Sequence, residues 1–134
     1  MVVSVQRLQL LPQRLAVTRR PPGDAVPDWF PGHGLRHATW ATDELSLLCE
    51  EADVPADEPH AERGWRAFKL QGPFDFALTG ILLSVLQPLA AAGIGIFAVS
   101  TFDTDYVLVK AAQLDAALAA LRGHGHQVDT GSAG

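Results

Sequence analysis

The chain has one cysteine, Cys49, in 134 residues. That excludes an internal disulfide and any metal site built on several thiolates. Lysine is scarce as well, with only Lys69 and Lys110, and the formal net charge is -5. The arginines are scattered among acids instead of forming one basic run, so nothing here attracts nucleic acid in general. Long apolar runs are missing. The stretches Leu78 to Leu86 and Leu89 to Val99 are broken by Gln87-Pro88, Gly93 and Gly95, and neither reaches the roughly 20 residues of a membrane span. The N-terminus has no basic start followed by a long apolar core, and the expected location is the cytoplasm.

What remains reads as an ordinary core-forming protein, 48% apolar and 19% charged. From Val5 to Arg19, Leu8, Leu10, Leu15 and Val17 alternate with polar residues around Pro12, predicting two short strands or one broken strand. Residues 19–34 are crowded with Pro and Gly. They predict a loop with one or two aromatic anchors and at most a short helical piece near 25–30. Residues 35–50 predict a hairpin turning at 41–43. The acidic, Ala- and Pro-rich stretch 51–63 reads as a linker.

The second half has a clearer period. A strand over 65–70 ends at Gln71-Gly72-Pro73. Leu78, Ile81, Leu82, Val85, Leu86 and Leu89 then share one face of a helix, and Pro88 should kink its last turn. Gly93 is placed to end that helix with a positive φ. Two apolar strands follow, 94–101 and 106–110, then a helix over 114–121 stopped by Gly123 and a short strand at 126–129. The order strand, helix, strand, strand, helix, strand predicts an α+β ferredoxin-like sheet backed by helices. The hairpin segment Thr39 to Leu48 also lines up with Thr101 to Lys110 at an offset of 62, pairing Asp43 with Asp105 and predicting two related modules.

On the run PLAAAGIGIFAVSTFDTDYVLV, residues 88–109, the chain resembles the ACT domain. The resemblance is to the tandem ACT group of small bacterial proteins and the arginine-sensing ACT proteins of animals. It implies a degenerate ACT-like module over 1–60, an ACT module over 61–130 and a frayed tail at 131–134, with exchange of terminal strands placing the Val5 to Leu11 segment in the second sheet. It also implies a non-enzymatic regulatory protein that binds a small molecule, an amino acid above all, and that works through pairing as a homodimer or with a protein partner. The site it implies comprises Thr79, Gly80, Ile81 and Leu82 at the first helix start, Gly95 and Ile96 at the next strand start, and Thr101, Phe102 and Asp105 on the hairpin. A helix start offers unpaired N–H groups to a carboxylate, and Asp105 offers a charge-assisted bond to an ammonium or guanidinium.

Each position has a plainer use. Gly80 can serve helix packing, Thr101 strand propensity, Phe102 anchoring, and Asp105 its own hairpin backbone. Two other functions stay open, a ligand-free interaction module and a small enzyme using Asp103 and Asp105. No cofactor or metal is expected. The five histidines are expected at the surface, because Gly32-His33-Gly34 and His124-Gly125-His126 lack the spacing and thiols of zinc motifs. Cys49 is expected as a small core residue.

Overall fold

A computed structural model describes residues 5–72 and 80–131. Among them are β1 (Arg7–Arg20), β2 (His37–Trp40), β3 (Leu45–Glu50), β4 (Ala61–Leu70), α1 (Ile81–Ala91), β5 (Phe97–Ser100), β6 (Asp105–Lys110), α2 (Leu114–Gly123) and β7 (Gln127–Asp129). The chain divides into two compact units. One is 13–65; the other joins 1–12 to 66–134. This differs from the 1–60 and 61–130 division expected from sequence, because β1 and β4 each begin in one unit and end in the other.

Unit 66–134 with 1–12 has the mixed α/β architecture expected, in the order β4-α1-β5-β6-α2-β7. Its strands lie side by side as β5-β6-β4-β1-β7, so the first residues of β1 stand between β4 and β7. β5 and β6 are antiparallel, whereas β7 runs parallel to β1 with Arg7 opposite Gln127 and Gln9 opposite Asp129. Alternation explains the core. Leu8 and Leu10, Phe68 and Leu70, and Val107 and Val109 each occupy every second position of a strand, and they are buried together with Val85 and Leu89 of α1 and Ala117 and Leu121 of α2. Burying side chains of this size contributes roughly 1.5–3 kcal/mol each before entropy is counted.

Both helices end in the same motif. Gly93, at φ 74, closes α1 with Gly93 N–H to Ala90 O and Ile94 N–H to Leu89 O, each 3.0 Å. In α2 the role falls to Gly125, at φ 97, with Gly125 N–H to Arg122 O at 3.0 Å and His126 N–H to Leu121 O at 3.1 Å. α2 ends at Gly123, where the stop was expected, but the positive φ that closes it belongs to Gly125, two residues on. No helix among the described residues is long and apolar enough to cross a membrane.

Unit 13–65 orders its strands β2-β3-β1-β4. The expected break at Pro12 is absent; β1 runs through it for 14 residues, and Pro12 lies exposed at the point where the two units divide. The expected linker is also fastened. Glu51–Asp53 forms a 3-10 helix, Glu51 Oε1 accepts Gly64 N–H at 2.6 Å, and Arg63 donates to Val54 O and Pro55 O at 3.4 and 2.6 Å. Composition suggested solvation; these pairings, made only after β4 folds back, hold the segment instead. No helix forms near 25–30, where Phe30 N–H closes a turn on Pro27 O at 3.0 Å.

The two hairpins correspond, but at an offset of 60. His37, Trp40, Leu45 and Leu48 pair as Phe97, Ser100, Asp105 and Leu108 do, and the 3-10 helices Glu51–Asp53 and Ala111–Gln113 follow at the same spacing. The offset of 62 is a slip of two residues. Because strand side chains repeat every two positions, that slip preserves the apolar alternation and is invisible to a sequence match. Asp43 thus corresponds to Asp103, and the counterpart of Asp105 is Leu45.

Candidate ligand-binding site

The polar ends of five strand segments meet along one end of the unit formed by 1–12 and 66–134. Gln71 N–H donates to Arg7 O at 2.8 Å, and Gln127 N–H donates to Gln6 O at 3.0 Å. Thr104 Oγ1 donates to Leu70 O at 2.6 Å, a buried bond that fastens the β5–β6 turn to the end of β4. Within the turn, Thr101 N–H and Thr101 Oγ1 both reach Thr104 O, at 2.8 and 3.1 Å. The cluster Thr101-Phe102-Asp103-Thr104-Asp105 is first of all a well-closed turn.

Asp105 sits opposite Ser100, and its Oδ1 accepts the Ser100 hydroxyl hydrogen. Its carboxylate therefore bonds a neighbouring side chain across the hairpin. Thr101 is exposed, and Phe102 is exposed to 79%.

The first turn of α1 is brought to the same end by a histidine. His126 is buried; its Nε2 donates to Ser84 O at 2.7 Å and its Nδ1 accepts Gln6 N–H at 2.9 Å. The surface expectation fails for His126, because it follows the glycine that closes α2 and is turned inward. Ser84 O is the carbonyl that Pro88, having no N–H, cannot satisfy from within the helix. α1 continues to Ala91 with Pro88 inside it.

Ser84 N–H donates to Gly80 O at 3.0 Å. Gly80 precedes α1 with φ 77, and a Cβ there would touch nothing within 4 Å among the described residues. Its left-handed backbone is itself a reason for glycine at this position. Ile81 and Leu82 turn their side chains against the core, which leaves their backbone as what they can offer a ligand. Thr79 lies outside the described residues. Gly95 and Ile96 precede β5, whereas Thr101 follows it; five residues at about 3.3 Å each put Ile96 and Thr101 roughly 16 Å apart. The helix start and the hairpin turn are thus gathered at one end, and Gly95 with Ile96 lie at the other.

Sequence reading missed a cleft of about 380 Å³ at the gathered end, lined by Arg7, Leu8, Gln71, Gln127 and Asp129. It offers one guanidinium, one carboxylate and two amides. The signal for it lay in the expected placement of Val5 to Leu11 in this sheet, which carries Arg7 beside β7. A second cleft, in unit 13–65, includes Arg20, but that guanidinium already pairs with Glu58 at 2.9 Å and Asp24 at 3.5 Å.

Residues 60–123 match the ACT domain. Protein Atu0741 of Agrobacterium tumefaciens, a solved structure, is 40% identical over 93% of this chain and 92% of its own, with a TM-score of 0.86. The chain belongs to the family of Atu0741. Two more distant structures share the fold. VC0802 of Vibrio cholerae, described as a possible transport protein, has a TM-score of 0.67 at 17% identity, covering 89% of each chain. The ligand-free regulatory subunit of Thermus thermophilus aspartate kinase has a TM-score of 0.61 at 13% identity, covering 88% of this chain and 96% of its own. No curated protein matches the chain. The ACT domain supports a ligand-binding, regulatory role.

Proposed function

We propose that the chain is a non-enzymatic amino-acid sensor whose ACT unit binds its ligand at the strand ends beside the first turn of α1. The observation that carries this reading is the cleft holding Arg7 and Asp129 together with Gln71 and Gln127. A zwitterion needs a cation for its carboxylate and an anion for its ammonium, and both bonds are charge-assisted. The start of α1, with Gly80, Ile81 and Leu82, adds backbone N–H groups for the carboxylate. Thr101, Phe102 and Asp105 border the same end. Gly95 and Ile96, at the far end of β5, enter such a site only from a second copy of the chain. Binding would then favour the paired state by contacts available only there.

The matched hairpins at offset 60 favour a tandem origin in which 13–65 is an ACT-like module without its helices. The test is a thermal-shift screen of the whole chain against the amino acids, followed by calorimetry and sedimentation with any hit. One amino acid should raise the melting temperature and promote association. Arg7→Gln and Asp129→Asn should weaken it at least about tenfold, as loss of a charged hydrogen-bond partner does. A panel without any response, or a response that both variants leave intact, overturns the reading and favours a ligand-free interaction module.

A further inference from the structure

In unit 13–65, three metal-ligating side chains converge from different parts of the sequence. His33 comes from the Pro- and Gly-rich loop, Glu50 from the last position of β3, and Asp53 from the 3-10 helix that follows. One donor atom from each lies within 4.8 Å of the others, and His33 Nε2 is 3.1 Å from Asp53 Oδ2.

The frame around them is held from several sides. Trp29 and Phe30 pack against Ala16, Cys49 and Val54, anchoring the loop three residues before His33. Gly34, at φ 71, lies so close to Glu50 that a Cβ would run into its Oε2; the carboxylate is thus laid against the loop backbone. Glu51 faces elsewhere, accepting Gly64 N–H, and so pins the 3-10 helix that carries Asp53. Neither the loop nor the helix has to fold anew for the three donors to share one centre.

We propose that His33, Glu50 and Asp53 form a site for a divalent transition-metal ion of the zinc class. One imidazole nitrogen with two carboxylates suits zinc, nickel or cobalt, while magnesium and calcium favour sets made of oxygen alone. Bonds of about 2.0–2.2 Å place tetrahedral donors roughly 3.3 Å apart. His33 and Asp53 already stand at that separation. Glu50 closes the remainder by side-chain rotation, and a fourth position faces solvent on the side of His33, whose side chain is 64% exposed. Two carboxylates and a neutral imidazole balance the charge of the ion. Bound metal ties the loop to the end of β3 and stabilises this unit by mass action.

The experiment titrates zinc(II) into the chelator-stripped whole chain, reading affinity by competition with a chromophoric chelator and stability by melting temperature. One zinc should bind per chain and raise the melting temperature, and magnesium should do neither. His33→Ala and Asp53→Asn should each weaken zinc at least about tenfold, since even the outer partners of metal ligands are worth 10–100-fold. Glu50→Gln should do the same while keeping the side-chain shape. The competing pair is His124 and His126, whose rings lie 5.2 Å apart; His124→Ala should leave zinc binding unchanged. His33 is exposed, so His33→Ala should melt without metal where the parent chain does, and it decides the question if Glu50→Gln fails to fold. No zinc binding by the parent chain, or equal binding by His33→Ala and Asp53→Asn, overturns the proposal. Neither outcome bears on the Arg7 cleft.

Discussion

His126 Nε2 donates at 2.7 Å to the carbonyl of Ser84, the group that Pro88 leaves without a donor inside α1. The same ring accepts Gln6 N–H through Nδ1. These two bonds fix the neutral ring in the tautomer that carries its hydrogen on Nε2. A proline in one helix is thereby compensated by the residue that closes the other, and the start of β1 is fastened to both.

His126→Ala should destabilise the protein by about 1–3 kcal/mol, the range for a buried polar group left unpaired. Pro88→Ala restores an N–H to Ser84 O, so the cost of His126→Ala should fall in that background. Urea unfolding of the four proteins gives the coupling directly. Equal costs in both backgrounds would show that the two residues are energetically independent.

Thr104 Oγ1 bonds Leu70 O at 2.6 Å in a buried position, whereas Thr101 is exposed. Thr104→Val keeps the shape and removes the donor, and it should cost about 1–3 kcal/mol. Thr101→Val should cost less than that. A denaturation midpoint that moves equally for both would contradict the assignment of Thr104 as the residue joining the turn to β4.

Gly34 has φ 71 and Glu50 beside it, while Gly32 has no positive φ and, among the described residues, no atom within 4 Å of a Cβ. Gly34→Ala should therefore destabilise the chain by about 1–2 kcal/mol, the cost of a left-handed conformation for a residue with a Cβ. Gly32→Ala should be near neutral. Thermal melts of the two variants make the comparison.

Burial, then Asp53 and then Glu50, push the Cys49 thiol up to about 11 from 9.0. Below pH 9 the thiol is protonated in both the folded and unfolded chain, and it contributes no pH dependence. Above that the unfolded chain loses its proton first, so stability should fall as pH rises from 9 toward 11. Cys49→Ala should flatten this part of the profile, measured as urea midpoints on either side of pH 9. The native thiol should also resist alkylation at about pH 8, because the thiolate is the nucleophile.

Much of the ACT unit was legible from periodicity. Leu82, Val85 and Leu89 predict α1, Val107 and Val109 predict β6, and Gly93 ends its helix as its position implies. Pairing across distance was less legible. Alternation survives a shift of two residues, so the hairpins matched at 62 while their registers correspond at 60. The acidic stretch after β3 resembled a linker because its partners, Arg63 and Gly64, act only once β4 returns. The site divided along similar lines: the helix start and hairpin were visible as motifs, but Arg7 and Asp129 are more than a hundred positions apart and carry no common pattern.

The sequence by itself determined the alternation of strands, the two amphipathic helices and the glycine that closes α1, because these depend on neighbours within a few residues. Only the tertiary structure decided that β1 lies between β4 and β7, that His126 answers Pro88, and that His33 meets Glu50 and Asp53. Those relations join residues whose spacing along the chain carries no period, and they exist only when the strands are laid side by side.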